Sequence, residues 1–136
     1  MTPAVEDPFA RVRALATELG ATLVDQGGAF EIHFARPPLR LRVTVAPEVL
    51  EWFLDVDDDT SGRRFRDYGD YSGYDARAHA ALAAEMVAHL HCLLPVLAQG
   101  EFRLVPSGPW FCPTDRLEWR PHGPWIEFDY GDVLEP

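Results

Sequence analysis

The sequence contains no lysine and no asparagine, so all 12 of its basic residues are arginines. The codons of both missing residues are rich in adenine, and their absence is typical of a GC-rich bacterial genome. Two cysteines, Cys92 and Cys112, are too few for a disulfide-stabilised scaffold. The amino-terminal residues lack the basic and apolar regions of a signal peptide, and no uninterrupted apolar run reaches the roughly 20 residues of a membrane span. These absences favour a protein of the reducing cytoplasm.

Acidic residues outnumber basic ones by 22 to 12, which gives a formal net charge of −10. A chain with this charge repels nucleic acid phosphates and anionic membranes, so we expect neither nucleic acid nor membrane as a partner. The excess of acid instead favours a basic protein partner, or simply solubility. The sequence has no phosphate-binding loop, dinucleotide fingerprint or nucleophile elbow, and we expect no cofactor.

A long alanine-rich helix is predicted over Asp75–Leu94, and the rest of the chain is expected to pack around it. At 100° per residue its apolar side chains form one broad stripe. The members of this stripe are Leu82, Ala83, Met86, Val87, Leu90, Leu93 and Leu94. Pro95 is expected to bend or end the helix, and Gly100 to end any turn that follows.

Alternating apolar and polar residues predict short strands on both sides of this helix. The predicted strands cover residues 21–25, 29–35, 39–45, 49–56 and 63–68 before it, and 101–105, 110–112, 116–120 and 125–130 after it. A shorter helix begins at Asp7-Pro8 and ends at Gly20. The short connections favour an α+β fold, with an antiparallel sheet packed on one long helix and a shorter N-terminal helix. The whole chain is expected to form one domain, with residues 131–136 as a frayed tail.

The predicted outer face of the sheet carries acidic and basic side chains in neighbouring rows. Arg40 and Arg42 alternate with apolar residues on one strand, and Glu51, Phe53 and Asp55 do so on the next. Opposite charges across neighbouring strands support pairing by a few tenths of a kcal/mol, roughly. Two interpretations remain open: a solvated face with weak ion pairs, or a mixed-charge docking face with Phe53 as an apolar contact.

The segment Asp67–Asp75 places three tyrosines three residues apart among acids and glycines, and it is interpreted as a loop that enters the long helix. Exposed tyrosines surrounded by acidic residues are typical of a surface that binds a basic protein. The alternative is that one or two of the tyrosines cover the edge of the sheet. The predicted partner contacts are Asp57, Asp58, Asp59, Asp67, Tyr68, Asp70, Tyr71 and Tyr74.

Glu85, His89 and Cys92 lie within about 60° of one another on the long helix, away from the apolar stripe. These residue types suit zinc, although glutamate and histidine are also common on the solvated flank of a helix. His79 is expected to be a partly buried histidine at the edge of the core. Cys112, in the segment Trp110-Phe111-Cys112-Pro113, is expected to be an inert packing cysteine.

The order helix, strands, long helix, strands resembles that of small secretion-chaperone-like domains and of the small acidic immunity proteins that neutralise basic nuclease toxins. The resemblance is one of element order and rests on no residue motif. The first hypothesis is therefore a non-catalytic acidic binding protein, of immunity or antitoxin type. The alternatives are a small metal-dependent enzyme that uses Glu85, His89 and Cys92, and a chaperone-like homodimer packed through Ala81, Ala84 and Ala88.

Overall fold

The computed structural model describes residues 7–35, 39–46, 49–58, 62–72 and 75–128, without the side chain of Asp58. Two helices and eight strands lie in these residues. They are α1 (Ala10–Glu18), β1 (Thr22–Gln26), β2 (Ala29–Phe34), β3 (Leu39–Val45), β4 (Val49–Asp58), β5 (Arg63–Ser72), α2 (Ala76–Gln99), β6 (Glu101–Ser107), β7 (Thr114–Arg120) and β8 (Ile126–Glu127). The expected tail, residues 131–136, lies outside the described residues.

The first five strands form one antiparallel sheet in which spatial order follows chain order, β1-β2-β3-β4-β5. Each strand pairs with its predecessor, so the sheet is a meander built from consecutive hairpin pairings. The predicted α+β class is confirmed: an antiparallel sheet, a short N-terminal helix and a long helix are all present.

The core lies between the two helices and the inner face of this sheet. Buried apolar residues alternate along β2, β3 and β4, and Trp52 is the largest side chain among those that are almost fully buried. The core receives Phe9 directly before α1, and Val12 and Ala16 within it. From α2 it receives most of the predicted stripe, including Met86 and Leu90. The periodicity of the sequence therefore identified most of the buried face of each helix.

The long helix begins after Asp75, whose side chain accepts a hydrogen bond from the amide of Ala78 at 2.7 Å. It continues through Pro95 as far as Gln99 and ends at Gly100, so the helix does not stop at Pro95, and the expected end at Gly100 is confirmed. A proline lacks the amide that would bond one turn back, yet Leu93, Leu94 and Leu97 around it are fully buried. By length and mean hydropathy α2 is sufficient to span a membrane, a test that the core helix of a globular domain also passes.

The strands that follow α2 form a second, three-stranded sheet in the order β6-β7-β8, where one sheet was expected. The residues predicted as a strand at 110–112 form a turn, because Gly108 and two prolines surround them and Gly108 has a φ of 84°. The second sheet contributes Leu104 and Leu117 to the common core, and Phe128, directly after β8, adds a third buried side chain.

The main correction to the predicted architecture concerns β5, which extends to Ser72 through residues that were expected to form a loop. Gly69 was taken as a sign of irregular structure, but it lies in the strand opposite Trp52. A Cβ atom at Gly69 would approach the indole Nε1 of Trp52 to 2.3 Å. The glycine is therefore required by close packing inside the sheet.

Candidate protein-binding face

The side chains of the five-stranded sheet that point away from the core form a surface that we call the outer face. It consists of Glu31, His33, Arg40, Arg42, Thr44, Glu51, Phe53, Asp55, Asp57, Arg64, Arg66, Tyr68 and Asp70. The strand register arranges these residues in rows that cross the sheet. Three rows differ in character: one is acidic, one aromatic and one rich in arginine.

The arginine row is held together by Asp55, which is only 3% exposed although it lies on the outer face. Its carboxylate accepts hydrogen bonds from Arg66 Nε at 2.7 Å and from Arg40 Nη2 at 3.2 Å, and both arginines are its direct cross-strand neighbours. Burial by itself raises the pKa of Asp55, but the hydrogen bonds and charges of Arg66 and Arg40 outweigh it and hold the pKa below its usual value. Asp55 is therefore an ionised, structural carboxylate.

A second acid, Glu31, continues this network toward the other edge of the sheet. Its carboxylate lies 3.6 Å from Arg40 Nε and 3.7 Å from His33 Nε2, and it accepts a hydrogen bond from Gln26 Nε2 at 3.1 Å. The acidic and basic residues that were predicted on neighbouring strands therefore lie side by side, and several of them form ion pairs with buried carboxylates.

The aromatic row consists of Phe53 on β4 and Tyr68 on β5, directly opposite each other. Their rings are stacked, with centroids 6.2 Å apart and an interplanar angle of 29°. The guanidinium of Arg66 lies 5.7 Å from the centroid of Phe53. Tyr68 remains 62% exposed, which makes it one of the four large exposed hydrophobic side chains among the described residues. This stack provides a rigid apolar area on a charged surface.

The acidic row places Glu51 and Asp70 directly opposite each other on β4 and β5. Side chains at such positions have Cβ atoms about 5 Å apart, and like charges there are destabilising. Thr44 is the neighbour of Glu51 on β3, so no arginine intervenes. Within the described part of the chain neither carboxylate forms an ion pair. The sheet therefore retains a repulsion that an added cation would relieve.

This repulsion gives a direct prediction for stability. Asp70→Asn is expected to raise the free energy of unfolding by about 0.2–1 kcal/mol, because it removes one of two facing negative charges. Urea unfolding at low ionic strength measures the change. The control is Asp57→Asn, since Asp57 accepts a hydrogen bond from Arg64 Nε at 2.7 Å and its loss should leave stability equal or lower. Equal destabilisation by both variants would contradict the like-charge interpretation.

The structure divides the predicted partner contacts between two faces, because β5 is a strand and its side chains alternate. Tyr68 and Asp70 lie on the outer face, and Asp57 also lies there, paired with Arg64. Asp67 and Tyr71 belong to the opposite face, where Tyr71 packs against the core. Tyr71 therefore covers the inner side of the edge strand β5, as the alternative interpretation expected, and contact of Asp67 and Tyr71 with a partner stays a prediction. The side chain of Asp58 and all of Asp59 and Tyr74 lie outside the described residues.

The proposed zinc ligands do not converge. Glu85 and Cys92 are exposed, whereas His89 is 4% exposed and stacks on Trp52 with ring centroids 5.3 Å apart. The placement of His89 away from the buried stripe was wrong, and burial lowers its pKa. Across the described ranges no group of three or more His, Cys, Asp or Glu side chains has the arrangement of a metal site.

Two further predictions on α2 have different outcomes. His79 is partly buried at the edge of the core, as expected, and its Nε2 lies 2.8 Å from the carbonyl oxygen of Ala46. The alanines proposed as a dimer surface, Ala81, Ala84 and Ala88, are all exposed. The homodimer through them stays a prediction.

The sequence reasoning missed an apolar tip at the turn between β6 and β7. Trp110 is 91% exposed and Phe111 is 72% exposed, and their rings meet edge to face at 5.9 Å. Cys112 is exposed as well, so its interpretation as a packing cysteine is wrong. Pro109 and Pro113, which flank these residues, indicate a turn in place of a strand. In such a proline-flanked turn the side chains point away from the core.

Comparisons with protein-family models, with curated proteins and with solved structures give no match for this chain. Its candidate site is therefore defined by geometry alone: an aromatic stack in which Tyr68 is exposed, between the facing acids Glu51 and Asp70 and the arginine row.

Proposed function

We propose that this protein is a non-catalytic binding domain whose outer face docks on a basic protein partner. The observation that carries the proposal is the Phe53–Tyr68 stack, in which Tyr68 is exposed, beside the facing acids Glu51 and Asp70. The stack offers apolar area that a partner side chain can cover, and the acids offer a site where a lysine or arginine replaces repulsion with attraction. Tyrosine is enriched among the hot spots of protein interfaces, and complementary charges beside them steer the encounter of the two proteins.

The net charge of −10 supports the same partner chemistry at longer range. An acidic protein attracts a basic one during diffusion, which raises the association rate and makes it sensitive to salt. The aromatic contact acts later, because burial of Tyr68 and Phe53 slows dissociation. Within this proposal, an inhibitor of a basic enzyme or toxin, of immunity or antitoxin type, is the class that the acidic composition and the element order favour.

The test compares capture of partners by the native chain and by variants of the outer face. Immobilised protein is incubated with a lysate of the organism that encodes it, and bound proteins are quantified by mass spectrometry. We expect a small set of basic proteins whose recovery falls at least about tenfold with Tyr68→Ser, a loss typical of an interface hot spot. The same proteins should be lost with the double variant Glu51→Gln/Asp70→Asn.

The matched control is Glu18→Gln/Glu85→Gln, which removes the same charge from two exposed helix positions. It should leave recovery unchanged, because the proposal assigns the effect to the acidic row and not to total charge. Captured proteins no more basic than background, or equal recovery by Tyr68→Ser, would refute the proposed function.

A further inference from the structure

The outer face contains a shallow concavity of about 240 Å³ whose local charge is opposite to that of the whole chain. Its lining side chains are Glu31, Arg40, Arg42, Phe53, Asp55 and Arg66. Three arginines and two acids leave a formal excess of one positive charge, in a protein whose net charge is −10. Arginines concentrated around a concavity are a common means of binding anions.

The two acids of the concavity already form ion pairs and hydrogen bonds with neighbouring side chains. Asp55 is 3% exposed and holds Arg40 and Arg66, while Glu31 is 8% exposed and lies against Arg40 and Gln26. Their negative charge is therefore largely compensated inside the protein, below the surface that a ligand would meet. An incoming anion faces guanidinium groups in preference to bare carboxylates.

Arg42 is the residue of the concavity that lacks this compensation. It is exposed, and within the described part of the chain it is the one outer-face arginine without an ion pair. The register places it between Glu31 on β2 and Phe53 on β4. Its planar fork of N–H donors is thus available beside an aromatic ring.

We propose that this concavity binds a carboxylate attached to a flat apolar group, with Arg42 as the main donor and Phe53 as the stacking surface. A single excess positive charge matches a monoanion, whereas the second charge of a phosphate dianion would find no counter-charge in the concavity. The bidentate geometry of arginine fits a carboxylate, and offset stacking on Phe53 orients the attached group. The inference shares Phe53 with the proposed function, but it uses Arg42 where that function uses Glu51 and Asp70, and it does not depend on a basic partner.

The experiment is an NMR titration of the ¹⁵N-labelled full chain with benzoate. We expect backbone amides of Arg42, Phe53 and Arg66 to shift in a saturable manner, with a dissociation constant on the order of 1 mM, the weak affinity of a small ligand on an open surface. Acetate, which lacks the ring, should bind at least about fivefold more weakly. Benzamide, which has the ring but no charge, should also bind at least about fivefold more weakly, because it lacks the carboxylate that the arginine fork holds.

Arg42→Gln should weaken benzoate binding by at least about fivefold, the loss expected for one charged contact at a partly exposed site. Its melting temperature should stay that of the native chain, because Arg42 has no ion pair in the described residues to lose. The control is Arg77→Gln on α2, which changes the charge equally at an exposed position and should bind benzoate as the native chain does. Equal binding by Arg42→Gln, equally tight binding of benzamide, or tighter binding of inorganic phosphate would overturn the proposal.

The carboxylate has two possible sources, a free aromatic acid or a side chain or C terminus of a docked protein. A peptide ending in phenylalanine, with its C-terminal amide as the matched probe, separates them. Tighter binding of the free-acid peptide than of benzoate supports a protein-borne carboxylate, and the reverse supports a small-molecule ligand. The peptide and benzoate titrations are both measured without the basic partner. A failure of the carboxylate site therefore leaves the proposed binding of a basic protein intact, and the reverse also holds.

Discussion

Gly69→Ala is expected to lower the free energy of unfolding by about 3 kcal/mol, the upper part of the usual range for overpacking. A Cβ atom at this position would approach Nε1, Cε2 and Cζ2 of Trp52 to 2.3, 2.6 and 2.9 Å. The indole is 1% exposed and stacks on His89, so it has no free space into which to retreat. Either β5 must move away from β4 or the ring must leave its site, and both break core packing. Urea unfolding of the two proteins measures the loss.

A double-mutant cycle tests the cause. In a Trp52→Leu background the same Gly69→Ala change should cost less than about 1 kcal/mol, because the ring that creates the clash is absent. A cost that stays near 3 kcal/mol in that background would show that backbone conformation, and not contact with the indole, requires glycine at this position.

Asp55→Asn is the second substitution with a large expected effect, a loss of about 2–3 kcal/mol at pH 7. Removal of one partner from a buried ion pair typically costs about 3–5 kcal/mol. The loss expected for Asp55→Asn is smaller than this typical cost, because the side chains of Arg40 and Arg66 are 36% and 56% exposed. Water can therefore solvate both guanidinium groups when their acceptor is lost. Thermal or urea unfolding gives the difference. Asp57→Asn is the matched control, since its carboxylate is 42% exposed and should cost less than about 1 kcal/mol.

The same carboxylate predicts how stability depends on pH. The folded pKa of Asp55 lies below its unfolded value, which is about 4, so its contribution is complete well above that pH. It is lost as the pH falls through the folded pKa, because protonation removes the charge that binds both arginines. The stability difference between the native chain and Asp55→Asn should therefore narrow between pH 7 and about pH 3. A gap that stays constant over that range would show that Asp55 contributes through packing and not through its charge.

The parts of the fold that local patterning determines were predictable. Strict alternation along β3 and β4 placed Leu41 and Leu54 inward and Arg40 and Asp55 outward, and this placement is correct. The register that brings Arg40 opposite Asp55 follows from consecutive hairpins with a buried inner face, since a slip by one residue would expose that face.

The parts that depend on distant contacts were not predictable. His89 lies at the flank of the helical stripe, where periodicity alone favours solvent, yet the large ring of Trp52 widens the buried area enough to cover it. The local sequence around Gly69 is typical of a loop. Only the position of the Trp52 indole explains why a glycine lies there within a strand. The exposed Trp110 and Phe111 reverse the rule that aromatic residues are buried, because their short turn cannot reach the core.

The order of elements along the chain has a consequence for synthesis. All five strands of the meander precede α2, so they leave the ribosome before the helix that covers them. Until Ala76–Gln99 emerges, the nascent sheet presents Trp52, Leu54 and their neighbours to solvent or to chaperones. When α2 emerges, its apolar side packs on the sheet and covers that surface. Slow translation of α2 would therefore prolong the period in which two nascent chains can aggregate.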